Sequence, residues 1–426
     1  MGRRLKEVEC PTVTWVTDNF PVFWKEALGC LVADVDGNIY LDLTAAFGVA
    51  NVGHRHPRVV QAVVDQAQHL LHGMGDVHPA DLKLVLLERL RDICPGDLGM
   101  SVLGSSGSDA VEVARKACLL HTGRPGILAF TGGYHGLTYG ALEATWRQDF
   151  RRPFSSQLKG QIQFVPYPDP FEDQGDVSRC LERSLARVQQ ALDGPEGQEV
   201  GGILLEVIQG RGGAITPPDG FLAGLRRLCD ARGLLLIFDE VFTGFGRTGT
   251  LFACDHEGVV PDLLCIGKGM AGGMPISACV GRPGVMASFG ESTGEALHTQ
   301  TFLGHPLGAA AALASIEVLL SEDLANRAAH TGTWLKGELN NLRARHPCVG
   351  PVRGRGLMLG VELHDDKGQP APGLAVDIMC QALRRGLILL PEGAAGHILG
   401  INPPLTITRE QLCFALEVLD DLLPVG

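Results

Sequence analysis

The strongest constraint on the fold is a series of short, continuously apolar segments in the middle of the chain, alternating with stretches of helical spacing. Leu234–Phe238 is the clearest: five consecutive apolar residues, followed at once by Asp239 and Glu240. A strand apolar on both faces needs cover on both faces, and helices between successive strands supply it in a mainly parallel sheet. Gly126–Thr131, Gly202–Val207, Leu263–Ile266 and Ile276–Val280 read as strands of the same kind. Val111–His121, Val177–Leu192 and Phe221–Ala231 read as the helices between them. The stretch His56–His72 carries Val59, Val60, Val63, Val64, Ala67, Leu70 and Leu71 at helical spacing and is closed by Gly73.

Beyond His305 the pattern changes. Long helices are expected over Pro306–Leu320 and Leu324–Arg345, then strands at Val349–Arg353 and Leu357–Leu363. A helix near Leu374–Arg385, short strands and a last helix over Arg409–Leu422 follow, so this part reads as a smaller α+β unit. Near the start, Leu31–Asp34 and Tyr40–Leu43 flank Asp36-Gly37, a hairpin signature. That hairpin is expected to pack with the C-terminal unit.

A length of 426 residues exceeds one ordinary core, so more than one packed unit is expected. A net charge of -12, with no run of Lys and Arg, argues against a nucleic acid or an anionic membrane as partner, because both need a positive surface. The first residues, MGRRLKEVECPTVTW, have no apolar stretch behind Arg3 and Arg4 and do not read as a secretory signal. The 12 cysteines include no Cys-x-x-Cys pair and read as buried reduced thiols, which suits the cytoplasm; no metal site is expected.

Three segments carry chemistry. Gly104-Ser105-Ser106-Gly107-Ser108-Asp109-Ala110 opens a helix, where small residues and free N–H groups suit an anion. Its plainer reading is a helix cap. Asp239 ends a buried strand, the position at which open α/β sheets meet their ligands, and could face a ligand cation; the plainer reading is a capping or metal-binding pair with Glu240. Lys268 stands between Gly267 and Gly269 at the end of another strand. A lone lysine is usually a solvated surface charge, whereas burial here would lower its pKa and make it a nucleophile for a carbonyl. An anion cradle, a carboxylate for a ring cation and a nucleophilic amine together make a complete site for pyridoxal 5'-phosphate (PLP).

The chain resembles the class-III, ornithine/4-aminobutyrate-type aminotransferases. The resemblance runs through Val49–Pro57, Ser106–Ala110, Gly133-Tyr134-His135-Gly136, Glu206–Gly210, Asp239–Gly249, Gly267-Lys268-Gly269, Thr301–Pro306 and Val352–Leu357. It implies a PLP-dependent transferase of fold type I, with a large domain built on a mainly parallel seven-stranded sheet and a smaller α+β domain. Residues 55–310 would form the large domain, and 1–54 with 311–426 the small one. It implies that Lys268 forms the Schiff base, that Asp239 pairs with the pyridine nitrogen, and that Val241 and Tyr134 cover the two ring faces. Gly107 and Ser108 would hold the phosphate, Glu206 and Gln209 would also line the cofactor site, and Thr301 would reach the phosphate of a neighbouring subunit in a homodimer. In isolation Tyr134, Val241 and Thr301 read as core aromatic, strand residue and turn.

Four departures bear on the substrate. Leu137 stands where many relatives have a carboxylate-binding Arg, Phe242 where many have Gln, and His305 replaces the usual Asn. Arg211 replaces a Glu that masks the arginine matching Arg353, so Arg353 is expected without an acid, and Arg211 and Arg353 are both candidates for a substrate carboxylate. A solvated, outward Arg211 is the alternative. The resulting expectation is transfer of an amino group from an amino acid or ω-amine to a 2-oxo acid. A racemase, epimerase, aminomutase or decarboxylase on the same site is the runner-up. A dehydrogenase is disfavoured because Gly354-Arg355-Gly356 lacks the Gly-x-Gly-x-x-Gly spacing.

Overall fold

A computed structural model describes residues 1–12, 21–173 and 175–425; residues 13–20, part of the segment expected in the small domain, lie outside the described residues. Near the N-terminus, strands Trp24–Leu28 (β1), Leu31–Asp34 (β2) and Ile39–Asp42 (β3) form an antiparallel meander. The Asp36-Gly37 turn is braced by Asp34, whose Oδ1 accepts the N–H groups of Asp36 and Asn38, both at 2.9 Å.

The apolar segments of the middle form one seven-stranded sheet. Its strands are Met100–Gly104 (β4), Gly126–Phe130 (β5), Ile162–Val165 (β6), Val200–Glu206 (β7), Leu235–Asp239 (β8), Leu263–Ile266 (β9) and Ser277–Gly281 (β10), in the spatial order β4-β10-β9-β8-β7-β5-β6. The run from β9 to β6 is parallel, and β10 is antiparallel to both of its neighbours. Every residue of β5, β7, β8 and β9 is buried. Each fully buried Leu, Ile or Phe contributes about 1.5–3 kcal/mol, so these strands anchor the core and fix where their carboxyl ends fall.

Strands Val349–Arg355 (β11), Met358–Leu363 (β12), Leu390–Glu392 (β14) and Ile398–Ile401 (β15) form a second antiparallel sheet in the order β11-β12-β15-β14. The two-residue strand Leu387–Ile388 (β13) pairs in parallel with β3, so the N-terminal hairpin does join the C-terminal part of the chain. The helix Pro306–Ser321 packs on the helix Pro57–Ala67, and residue 310 falls inside it.

The large sheet is bolted to the C-terminal part by Arg247, a fully buried arginine. Its Nη1 donates to the Leu357 carbonyl at 2.9 Å and to that of Pro403, and Nη2 donates to Asn51 Oδ1 at 2.6 Å. Burial lowers its pKa to about 9, with the charge of Asp42 opposing.

Two expectations need correction. The helix beginning at Pro57 ends at Ala67, not near His72. Its last turn tightens, the Gln68 and His69 N–H groups bonding back to the Asp65 and Gln66 carbonyls at 3.1 and 3.0 Å, and Leu71 is left 59% exposed. Not every cysteine is buried: eight are, whereas Cys348 and Cys380 are half-buried and Cys10 and Cys413 exposed.

Candidate active site

The parallel register sets three acidic or reactive positions at one end of the sheet. Glu206 on β7 pairs with Asp239 on β8, which pairs with Cys265 on β9. Lys268 follows Cys265 by three residues, on a turn held at φ 38°, in the left-handed region. A non-glycine residue there carries strain that persists only where its surroundings impose it, a pattern concentrated at functional sites.

Lys268 is half-buried, with Nζ 4.1 Å from the centroid of the Phe242 ring. Burial lowers its pKa; the charges of Glu206 and Asp239 oppose this, and that of Arg211 adds to it. Phe242 sits close against Gly48 and Gly210, where a Cβ would lie 2.3 Å from its ring atoms. This departure from the family pattern thus places an apolar face beside the amine.

Asp239 is buried and hydrogen-bonded on both oxygens. Oδ1 accepts the Val241 N–H at 3.1 Å and Oδ2 lies 2.7 Å from His135 Nδ1. Burial opposes a charged imidazole, but the Asp239 hydrogen bond and charge outweigh it and raise the His135 pKa. The His135 backbone N–H donates to Thr145 Oγ1 at 2.9 Å, which fixes the ring's approach. Glu206 accepts the Tyr134 N–H at 2.9 Å and the Gly210 N–H at 3.0 Å, so it holds Tyr134 in place. Gln209 donates from Nε2 to the Thr131 carbonyl at 2.8 Å, and its buried Oε1 has no partner.

The helix Gly107–Thr122 opens with a capping box: Ser106 Oγ accepts the Asp109 N–H at 3.3 Å, and Asp109 Oδ2 accepts the Ser106 N–H at 2.9 Å. The cap reading therefore holds for Ser106. The next two N–H groups, of Gly107 and Ser108, have no acceptor among the described residues. Space is reserved around them. A Cβ at Gly107 would lie 2.8 Å from Val241 Cγ1, and one at Gly136 would lie 2.0 Å from Ser108 Oγ. Val241 thus lies between this helix start and the lysine turn, 3.7 Å from where a Cβ at Gly267 would stand. A glycine cradle with two free donors, a buried carboxylate hydrogen-bonded to an imidazole, and an amine of depressed pKa together fit a PLP phosphate, ring nitrogen and aldehyde.

Arg211 is not a solvated surface charge. Its guanidinium lies 5.1 Å from the Tyr134 ring centroid and 6.0 Å from that of Phe150, and among the described residues no acid is ion-paired to it. Arg353 requires the opposite correction. Expected without an acid, it is buried between two: Nε donates to Glu362 Oε2 at 2.9 Å, Nη2 to the same oxygen and Nη1 to Asp169 Oδ2. Phe171 covers its face at 4.8 Å. Its fork is spent within the protein, so it is not the free carboxylate-binding cation expected from the sequence. Thr301 is exposed, while its neighbour Gln300 bonds to Ser105 Oγ at 2.9 Å within the same chain.

A family model described as "Aminotransferase class-III" matches residues 13–423. The chain belongs to the class-III aminotransferases. It is 38% identical over 404 residues to an acetylornithine aminotransferase of Methanopyrus kandleri, covering 95% of each chain. It is 36% identical over 411 residues to an alanine/serine racemase of Pyrococcus horikoshii, covering 94% of this chain and 85% of that one. Among solved structures, the PLP-bound amine transaminase from an uncultivated Pseudomonas species superposes with a TM-score of 0.91 at 28% identity, covering 98% of each chain. This class-III aminotransferase is a PLP-dependent transaminase of fold type I. No helix among its described residues is long and apolar enough to cross a membrane.

His135, Asp169 and Glu362 are absent from the site residues derived from sequence, and Phe242 entered only as a departure from the family pattern. His135 lies inside the quoted Gly-Tyr-His-Gly motif, so position marked it though no role did. The Asp169–Arg353 contact spans 184 positions and leaves no local signature.

Arg353→Ala strips two buried carboxylates of their cation and is expected to lower stability by about 3–5 kcal/mol. The KM for a 2-oxo acid should stay within about twofold of the parent value. Urea melts and steady-state kinetics check both; an unchanged melt with a KM raised tenfold would restore Arg353 to the substrate.

Proposed function

We propose that this transaminase moves an amino group from an amino acid or ω-amine donor to a 2-oxo acid, with Lys268 as the proton carrier and Arg211 as the acceptor's carboxylate partner. The observation that carries the reading is the half-buried Lys268 amine of lowered pKa, set at the same sheet end as the His135-bound Asp239. Lys268 would carry the cofactor covalently between turnovers. Released by the incoming amine, its Nζ would take the proton from the donor's reacting carbon and pass it to the cofactor, and with the 2-oxo acid it would move a proton in the reverse direction, onto the acceptor's carbon. PLP supplies a cationic ring that accepts the electron pair left by that proton.

The remaining residues bind and orient. Asp239, steadied by His135, would hold the cationic ring nitrogen, while Val241 and Tyr134 cover opposite ring faces. The Gly107 and Ser108 N–H groups would hold the phosphate at the helix N-terminus. Glu206 would act through Tyr134, and Gln209 through the Thr131 loop it braces. Arg211 has a fork without an acid partner, and a planar guanidinium suits a carboxylate in two-point contact. It would swing from Tyr134 to meet the 2-oxo acid.

We read the assembly as a homodimer with shared sites, Thr301 of each chain reaching its partner's phosphate. Leu71, Met74, Val77, Leu297 and Phe302 are 56–63% exposed, with His72 and Phe302 rings 5.2 Å apart in the same region. Apolar surface of that extent is characteristic of a protein interface. Residues 55–310 would be the large domain and 1–54 with 311–426 the small one, sharing the helix Pro306–Ser321. The mostly buried thiols suit a reducing compartment such as the cytoplasm. Light scattering should give a two-chain species, and Phe302→Asp should shift it toward one chain; a monomeric parent protein would contradict the assembly.

The functional reading is tested by mixing the PLP-loaded protein with single amines and no 2-oxo acid. Stoichiometric pyridoxamine phosphate should form, and Lys268→Ala should lower its rate by at least about 10³-fold. Interconversion of amino-acid enantiomers without pyridoxamine phosphate would instead place the chain with its racemase relatives.

A further inference from the structure

One half-buried carboxyl group that interacts with Lys268 and Arg211 has no part in this scheme. Glu392 ends β14, and its side chain lies across β15 at Gly400, where a Cβ would stand 2.6 Å from its carboxyl carbon. Only glycine at 400 leaves room for a carboxylate on that surface. Asn402 Nδ2 donates to Glu392 Oε1 at 3.1 Å, while Asn402 Oδ1 is buried without a donor. Glu392 Oε2 has no hydrogen-bond donor among the described residues. Asn402 Oδ1 is thus a buried acceptor without an N–H or O–H to satisfy it, a costly arrangement, and Glu392 Oε2 is left open to a donor from outside the protein.

The backbone ties this carboxylate to the wall of the active site. The Gly393 N–H donates to the Arg211 carbonyl at 3.0 Å, and the Gly393 carbonyl accepts from Arg147 Nη2. Glu392 thus stands beside the loop that carries Arg211. Arg211 and Lys268 act on it as cations and Glu206 as a like charge, while the Arg147 guanidinium feels its field. Burial nonetheless dominates and pushes its pKa up to about 8. The cations present leave it under-compensated.

We propose that Glu392, held by Asn402 over Gly400, is a specificity-determining residue that receives a second cationic group on the amine donor, so that the favoured donors are diamines or amino acids with a basic side chain. The assignment rests on the transaminase reading above and deepens it. The donor's reacting nitrogen meets the cofactor at Lys268, and its distal ammonium gives N–H donors to Glu392 Oε2. Arg211 remains for the carboxylate of the acceptor. One pocket thereby sorts the two substrates by opposite charge.

The test uses the PLP-loaded protein and donor pairs matched in length: 1,4-diaminobutane against butylamine, and ornithine against norvaline. A charge-assisted hydrogen bond supports a preference of about 10- to 100-fold for the cationic member of each pair, carried mainly by KM. Glu392→Gln should reduce that preference to within about twofold while leaving kcat for the neutral member nearly unchanged. Calorimetry on the Lys268→Ala protein, which cannot turn the donor over, should show diamine binding that Glu392→Gln weakens by the same factor. Equal use of both members by the parent protein overturns the assignment, as does a Glu392→Gln loss shared equally by both. Reaction with alanine but with none of the four donors also overturns it and leaves the transaminase reading standing. Failure of every donor to give pyridoxamine phosphate counts against that reading itself.

Discussion

The site is organised by the buried carboxyl group of Asp239 at the carboxyl end of β8. A carboxyl group in the core is costly unless a cation or hydrogen-bond donors meet it. The chain answers with His135 at 2.7 Å and the Val241 N–H at 3.1 Å. Much of the local sequence serves that arrangement. Thr145 holds the His135 backbone, Glu206 holds Tyr134 beside it, and Gly136 gives Ser108 its room. A carboxyl group held in place by its neighbours is what an electron-accepting ring needs opposite its nitrogen.

The same sheet end treats the amine in the contrary way. Lys268 faces an aromatic ring and has no ion pair among the described residues, so burial favours its neutral form. A nucleophile must be available as free base and a ring anchor must stay charged. Within one row of the sheet the acid is given hydrogen bonds and the base an apolar neighbour. The two arginines divide in the same manner: Arg353 is consumed by Asp169 and Glu362, whereas Arg211 stacks on Tyr134 and keeps its fork free of acids.

Much of this was legible in the residues. Leu324–Arg345 and Arg409–Leu422 match the observed helices end to end, because each carries a long apolar stripe. The strands β5, β7, β8, β9 and β10 were visible because burial on both faces demands unbroken apolar runs. Strands β4 and β6 were not, and they are the edges of the sheet, where Met100 is exposed and Gln163 only half-buried. An edge strand needs less apolar sequence, so it leaves a weaker pattern. Lys268 and Asp239 could be singled out from strand ends and glycine flanks. Contacts such as Arg353 with Asp169, or Glu392 with Asn402 over Gly400, depend on how separate sheets meet, and spacing along the chain does not encode that.

The central claim is that one amine, at position 268, carries the cofactor beside Asp239. Borohydride reduction of the PLP-loaded protein, followed by proteolysis and mass spectrometry, tests it most directly. The account predicts a single pyridoxyl-modified peptide with the label on Lys268, and loss of that label after prior treatment with a reactive amine donor. Label on a different lysine, or a protein that takes up PLP without any reducible linkage, would contradict it.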